Sequence, residues 1–126
     1  MKIADDQIDD AALMAIGRDA VQLLRSGEID VLAARFGYAV ALGREPAAAI
    51  REDLTECLEQ FSSPGLARNI EFGCEVKFFA PNPSSLVALV ECVVPALNGG
   101  DVLIELVVTS NGHDKYATLE QISAVN

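Results

Sequence analysis

Residues 69–78 read NIEFGCEVKF, and this stretch decides the fold class. From Ile70 to Phe78 every second residue is apolar, while the residues between are Glu, Gly or Lys. Alternation at a period of two predicts a strand with one buried face. Upstream of this stretch the apolar residues recur at helical spacing instead. The chain therefore changes from helices to strands near residue 69, which favours an α+β fold.

The apolar pattern upstream places helices over residues 6–26, 29–36 and 46–61. Each is followed by a glycine or by a Ser-Pro-Gly break, where helices commonly end. Residues 38–42 lie between the second and third helices. They are predicted to form a short strand, although their alanines have low β propensity.

Downstream, further strands are predicted over residues 86–94, 102–109 and 115–125. The last two strands are joined by Asn111-Gly112, a pair that tolerates the positive φ angles of tight hairpin turns. The predicted order is α-α-β-α-β-β-β-β. We expect one domain over residues 1–126, with three N-terminal helices packed on one face of an antiparallel sheet.

The chain is acidic, with nineteen Asp and Glu against nine Lys and Arg and a net charge of −10. Such a field repels nucleic-acid phosphates and disfavours anionic membrane surfaces, so neither is expected as a partner. No apolar run approaches the roughly 18 residues of a membrane span. The same field would attract a basic protein and speed its encounter, but it can also serve solubility alone.

The polar inventory excludes the common cofactor and metal sites. Cys57, Cys74 and Cys92 are widely spaced among apolar residues, which indicates reduced, inert thiols rather than a disulfide framework. Together with an acidic N-terminus that lacks an apolar signal segment, they predict a cytoplasmic protein. His113 is the only histidine and falls in a turn, so no metal site and no cofactor are expected.

The segment LLRSGEIDVLAARF, residues 23–36, together with the order of elements, resembles the nuclear transport factor 2-like (cystatin-like) superfamily. Members often have a long first helix, then Gly-Asp, an acidic residue and an Ala-rich short helix that ends in Phe. Here Glu28 replaces the usual Asp. The resemblance implies a curved sheet that forms a cone with the helices. It implies no particular reaction, because the superfamily includes isomerases, dehydratases, transport factors and immunity proteins.

In a cone of this kind, Asp30 and Tyr38 are the candidate polar residues of a ligand pocket. Asp30 could act as a general base, and the Tyr38 hydroxyl could orient a ligand. Each has a structural alternative. Asp30 follows Gly27 at the start of a helix, where an acidic residue favours the positive end of the helix dipole. A Tyr ring more often lies in the core.

The sheet face away from the helices is the candidate contact surface. If Cys74 and its alternate residues face the helices, the opposite face contains Glu71, Glu75 and Lys77, and one parity of the next strands adds Glu91 and Glu105 among Val and Leu. An apolar surface with acidic residues suggests either a homodimer interface or the binding site of a different protein.

Two functional hypotheses follow. In the first, the chain is a non-catalytic module whose acidic face, with Glu71, Glu75, Glu91 and Glu105, binds a basic protein, as an immunity protein neutralises a toxin. In the second, the cone holds a small apolar ligand near Tyr38 and Asp30, and the protein binds it or acts as an isomerase or dehydratase.

Overall fold

The computed structural model describes residues 1–125, which form helices in the N-terminal half and a five-stranded sheet. The elements are β1 (Lys2–Ile3), α1 (Asp10–Arg25), α2 (Ile29–Phe36), α3 (Pro46–Gln60), β2 (Gly73–Phe78), β3 (Leu86–Pro95), β4 (Asp101–Asn111) and β5 (Asp114–Val125). All neighbouring strands are antiparallel, in the order β1-β5-β4-β3-β2. No helix within residues 1–125 is long and apolar enough to cross a membrane.

The three helices pack on one face of the curled sheet, which confirms the predicted α+β class. Helix α1 lies against β2 and β3, while α2 and α3 contact β5. Alternate residues of β3 and β4, such as Val90 and Leu106, point toward the helices and are fully buried. The core therefore lies between the helices and this face.

The helix boundaries follow local capping. Helix α1 begins four residues later than predicted, because Asp9 Oδ1 accepts a hydrogen bond of 2.8 Å from the Ala12 amide and caps it there. Residues 5–7 form a separate 3₁₀ turn. Helix α3 begins at Pro46 as predicted, since the Glu45 carboxylate accepts hydrogen bonds from the first-turn amides.

The predicted strand over residues 38–42 is wrong, and these residues form turns. Leu42 and Gly43 both have positive φ angles, which an extended strand does not allow. The Arg44 side chain also donates hydrogen bonds of 2.8 Å to the carbonyl oxygens of Val40 and Ala41. Backbone acceptors that a strand would use are therefore satisfied by a side chain.

Strand β1 pairs with the free edge of β5 and so forms one end of the sheet. The sequence pattern did not predict this strand. Lys2 pairs with Tyr116 and Ile3 with Lys115. Two residues are too few to show a period, so composition cannot predict such a strand.

Strand β2 begins at Gly73 rather than at residue 69, and its burial is weaker than the alternation implies. Cys74 and Val76 pack against the core, but Phe78 is 52% exposed and Ile70, before the strand, is 57% exposed. Since β2 is one of the two edge strands of the sheet, only part of its inner face is covered by helix α1.

Helix α1 crosses β3 at Gly17, where only a glycine fits. A Cβ atom added there would lie 2.8 Å from Val90 Cγ1 and 3.0 Å from Cys92 Sγ. Both atoms belong to fully buried side chains of the sheet, which have little room to shift.

We expect Gly17→Ala to destabilise the protein by about 1 kcal/mol. Overpacking a dense core costs about 1–3 kcal/mol, which outweighs the roughly 0.5–1 kcal/mol that alanine gains over glycine inside a helix. Urea unfolding of the two proteins, followed by circular dichroism, measures the difference. A more stable variant would show that α1 and β3 are not in such close contact.

Candidate functional site

The face of the sheet away from the helices, here called the outer face, is the first candidate site. It presents the alternate residues of β2, β3 and β4 that do not enter the core, and most of these are partly exposed. On β3 and β4 this set is largely apolar and comprises Leu89, Val93, Leu103 and Val107, together with the polar residues Glu91, Glu105 and Thr109.

A row of carboxylates crosses the middle of the outer face. The strand register pairs Glu75 with Glu91, and Glu91 with Glu105, so three carboxylates lie side by side on β2, β3 and β4. A bulge in β5 opposite Glu105 brings Glu120 close to the same row. The predicted residues Glu75, Glu91 and Glu105 are thus brought together, and the parity left open by the sequence is decided by the register.

One lysine compensates part of this charge. Lys77 Nζ lies 2.8 Å from Glu91 Oε1, an oxygen otherwise shielded from solvent and from hydrogen-bond donors. Glu105 has no such partner among residues 1–125. Burial and the neighbouring charges of Glu91 and Glu120 raise the pKa of the Glu105 carboxyl above its usual value. The row therefore has a surplus of negative charge.

Glu71 does not belong to this row. It lies in the exposed segment before β2 and lines a different depression, together with three arginines. The prediction placed it on the outer face because the alternating pattern was extended to residue 70, whereas the strand begins at Gly73.

Tyr38 and Asp30 do not share a pocket. The Tyr38 ring is 6% exposed, and its hydroxyl donates a hydrogen bond of 2.5 Å to Asp53 Oδ2. The Asp30 side chain is 83% exposed and pairs with Arg51 at 3.3 Å. Asp30 lies in the first turn of α2, in keeping with its structural alternative.

The Tyr38 hydroxyl belongs to a cluster that holds the turns before α3. Asp53 also accepts a hydrogen bond of 2.9 Å from Arg44 Nη1. Arg44 lowers the pKa of Asp53, while burial and the adjacent carboxylate raise the pKa of the Tyr38 phenol. A protonated phenol already bound to a carboxylate is suited to hold the fold together rather than to take up a ligand.

A depression lined by arginines is a site that the sequence reasoning missed. Arg18 and Arg25 on α1, with Arg68 from the segment before β2, line a volume of about 360 Å³. Their spacing of seven residues places Arg18 and Arg25 on one side of the helix. This spacing was the available signal, but the approach of Arg68 depends on a chain reversal that no local pattern encodes.

Arg25 is the unusual member of this arginine pocket. It is only 8% exposed, yet within residues 1–125 no carboxylate lies within 4 Å of it. Its guanidinium donates to the Ile70 carbonyl at 2.7 Å and lies 4.7 Å from the centre of the Phe72 ring, while Nε is buried without a hydrogen-bond partner. Burial lowers the pKa of Arg25. A buried cation with no carboxylate within 4 Å favours the approach of an anion, while the Glu71 carboxylate that lines the same depression opposes it.

Comparison with known proteins adds no assignment. No family model matches the chain, and no curated protein or solved structure matches it significantly. The resemblance to the nuclear transport factor 2-like superfamily therefore stays a prediction. Among residues 1–125, no group of three or more His, Cys, Asp or Glu side chains is arranged to hold a metal ion.

We expect Glu105→Gln to raise the free energy of unfolding at pH 7 by about 0.5 kcal/mol, because it removes one of two like charges that are paired across strands. The gain should shrink as the pH falls. The pKa of Glu105 is higher in the folded than in the unfolded protein, so the folded state takes up its proton first and the wild type recovers stability.

Urea unfolding at pH 7 and near pH 5 checks this expectation. Glu56→Gln, an exposed change on α3, is the matched control and should leave stability nearly unchanged at both values. A Glu105 variant that is less stable than the wild type at pH 7 would show that this carboxylate is well solvated or compensated.

Proposed function

We propose that this protein is a non-catalytic binding module whose outer face binds a basic segment of another protein, as an acidic immunity-type protein would. The observation that carries the proposal is the row Glu75, Glu91 and Glu105 across three neighbouring strands. Like charges directly opposite each other destabilise a sheet by about 0.2–1 kcal/mol per pair. A partner's cation bound between these carboxylates would reduce their repulsion, which would explain why the chain keeps an arrangement that costs it stability.

The flanking residues define the chemistry of that partner. Leu89 and Val107 lie on one side of the row, and Val93 and Leu103 on the other. A segment that fits this surface has one or two cationic side chains between apolar ones. Arginine suits the central position, since its planar guanidinium can donate to two neighbouring carboxylates at once.

The charge of the row favours a different protein over a second copy of this chain. In a twofold dimer centred on the row, carboxylates of one copy would face carboxylates of the other. Each copy also has a net charge of −10. A basic partner gains from the same field that repels a second copy, and its association is accelerated.

We expect the double variant Glu91→Gln/Glu105→Gln to lose at least about tenfold in affinity for such a partner, because two charge-assisted contacts disappear. The partner is first captured from a native lysate on immobilised protein and then purified. Titration calorimetry at low and high salt measures its affinity for the wild type and for the variant.

The matched control is Glu56→Gln/Glu59→Gln on the exposed side of α3, which changes the net charge by the same amount. If both double variants lose affinity equally, binding follows the general field and not the outer face. Sedimentation of the chain as a dimer that Leu89→Glu dissociates would show that a second copy covers this face, which would contradict the proposal.

Binding of a small anionic ligand is the second candidate function, and the observation that favours it is the buried Arg25, which has no carboxylate within 4 Å among residues 1–125. Arg18 and Arg68 are both exposed beside it and can donate to a carboxylate or phosphate group. The earlier hypothesis of an apolar ligand at Tyr38 and Asp30 gains no such support, because the two residues lie apart.

Titration with inorganic phosphate, followed by nitrogen-15 NMR, tests this second candidate. We expect saturable shifts at residues 68–72 and an affinity about tenfold lower in Arg18→Gln/Arg68→Gln, which removes two charged donors. Arg35→Gln, an exposed change on α2, is the control. Shifts that do not saturate, or that are equal in all the proteins, would contradict a built anion site.

A further inference from the structure

We propose that Cys74 and Cys92 are a peroxide-sensitive dithiol that forms a reversible disulfide between β2 and β3. This inference goes beyond the proposed binding function. It rests on the positions of two free cysteines, which their apolar sequence surroundings had indicated to be inert thiols.

The register places the two residues opposite each other. Cys74 pairs directly with Cys92 in the antiparallel ladder. Residues that are directly opposite in such a ladder have Cα atoms about 4.5 or 5.5 Å apart, within the range of about 4.4–6.8 Å that disulfides span. The Cα separation expected from this register is therefore compatible with the bond.

The two sulfur atoms also point in the same direction. Both face α1, where one point above Gly17, the position of an added Cβ atom, lies 3.0 Å from Cys92 Sγ and 3.8 Å from Cys74 Sγ. The two thiols are close enough for each to shift the pKa of the other. Because Gly17 has no side chain, no side chain of that residue lies between α1 and the two sulfur atoms.

The surroundings of the two thiols differ, which gives them different roles. Cys74 is partly exposed on an edge strand, and the adjacent Cys92 thiol lowers its pKa, with a further contribution from the Arg18 guanidinium. Cys92 is fully buried, and its pKa is raised by Cys74 and by burial. Cys74 is therefore the attacking thiolate, and Cys92 is the resolving thiol.

The oxidant is a small hydroperoxide such as hydrogen peroxide. The Cys74 thiolate attacks one peroxide oxygen, the O–O bond breaks, and hydroxide leaves, which gives Cys74 sulfenic acid. The Cys92 sulfur then attacks Cys74 Sγ, the S–O bond breaks, and the oxygen leaves as water with the thiol proton. In sum, two thiols and one peroxide give one disulfide and two waters.

The bond would link the edge strand to its neighbour covalently. Within residues 1–125, β2 pairs with β3 alone, and its only helix neighbour with several contacts is α1. A cross-link here closes a loop that includes residues 79–85 and removes freedom from the unfolded chain. The oxidised protein should therefore unfold at a higher temperature than the reduced one.

Treatment of the reduced, full-length protein with hydrogen peroxide tests the proposal. Trypsin cleaves after Arg51, Arg68, Lys77 and Lys115, so the three cysteines fall on separate peptides. We expect a loss of two hydrogen atoms from the intact mass, a peptide that joins Cys74 to Cys92, and reversal by dithiothreitol. The thermal midpoint should rise by about 5 °C or more on oxidation.

Cys57→Ala is the matched control. Cys57 is also a buried thiol, but it lies on helix α3 and not in the ladder that pairs Cys74 with Cys92. This variant should still form the bond, whereas Cys74→Ala and Cys92→Ala should not. The linked peptide from the wild type decides the question even if a variant fails to fold. Addition of oxygen to Cys74 without the linked peptide, or linkage between chains only, would overturn the proposal.

Discussion

The antiparallel register of β3 and β4 is the constraint on which the rest of the structure depends. It pairs Val90 with Leu106, and one residue further along it pairs Glu91 with Glu105. The first pair is fully buried beneath the helices, and the second lies on the outer face. A slip by one residue would exchange the two faces and bury the carboxylates, which costs free energy. The core and the candidate site are thus set by the same alignment.

That register is supported from the helix side, and a hairpin separately sets the pairing of β4 with β5. On the helix side, Gly17 packs closely on Val90, and a shift of β3 by one residue would bring Leu89 or Glu91 against α1 instead. At the far end, the short hairpin through Gly112 and His113 joins β4 to β5 and sets their pairing. His113 lies exposed in that turn, as the Asn-Gly signal predicted.

Elements that are set by local sequence patterns could be predicted, whereas features that are set by contacts between distant segments could not. Helix α3 and strands β3, β4 and β5 were predicted nearly to their ends, because their periodicity and turns are local properties. The segment 38–42 was not, since its backbone acceptors are taken by Arg44, and β1 is visible only through its pairing with β5. Glu75, Glu91 and Glu105 could be proposed together, but only the register shows them to be adjacent. The arginine pocket and the thiol pair need tertiary contacts that no local pattern contains.

Folding alone would favour uncharged residues at the centre of the outer face. Val or Thr at positions 91 and 105 would fit the pleat better than Glu and would avoid like charges across the strands. Solubility requires charge, but exposed helix surfaces such as that of α3 supply it without repulsion inside a ladder. Neither the core nor solubility therefore accounts for carboxylates at the centre of an otherwise apolar face. The binding proposed for this face would account for them, because a partner's cation would add to the compensation that Lys77 already gives Glu91.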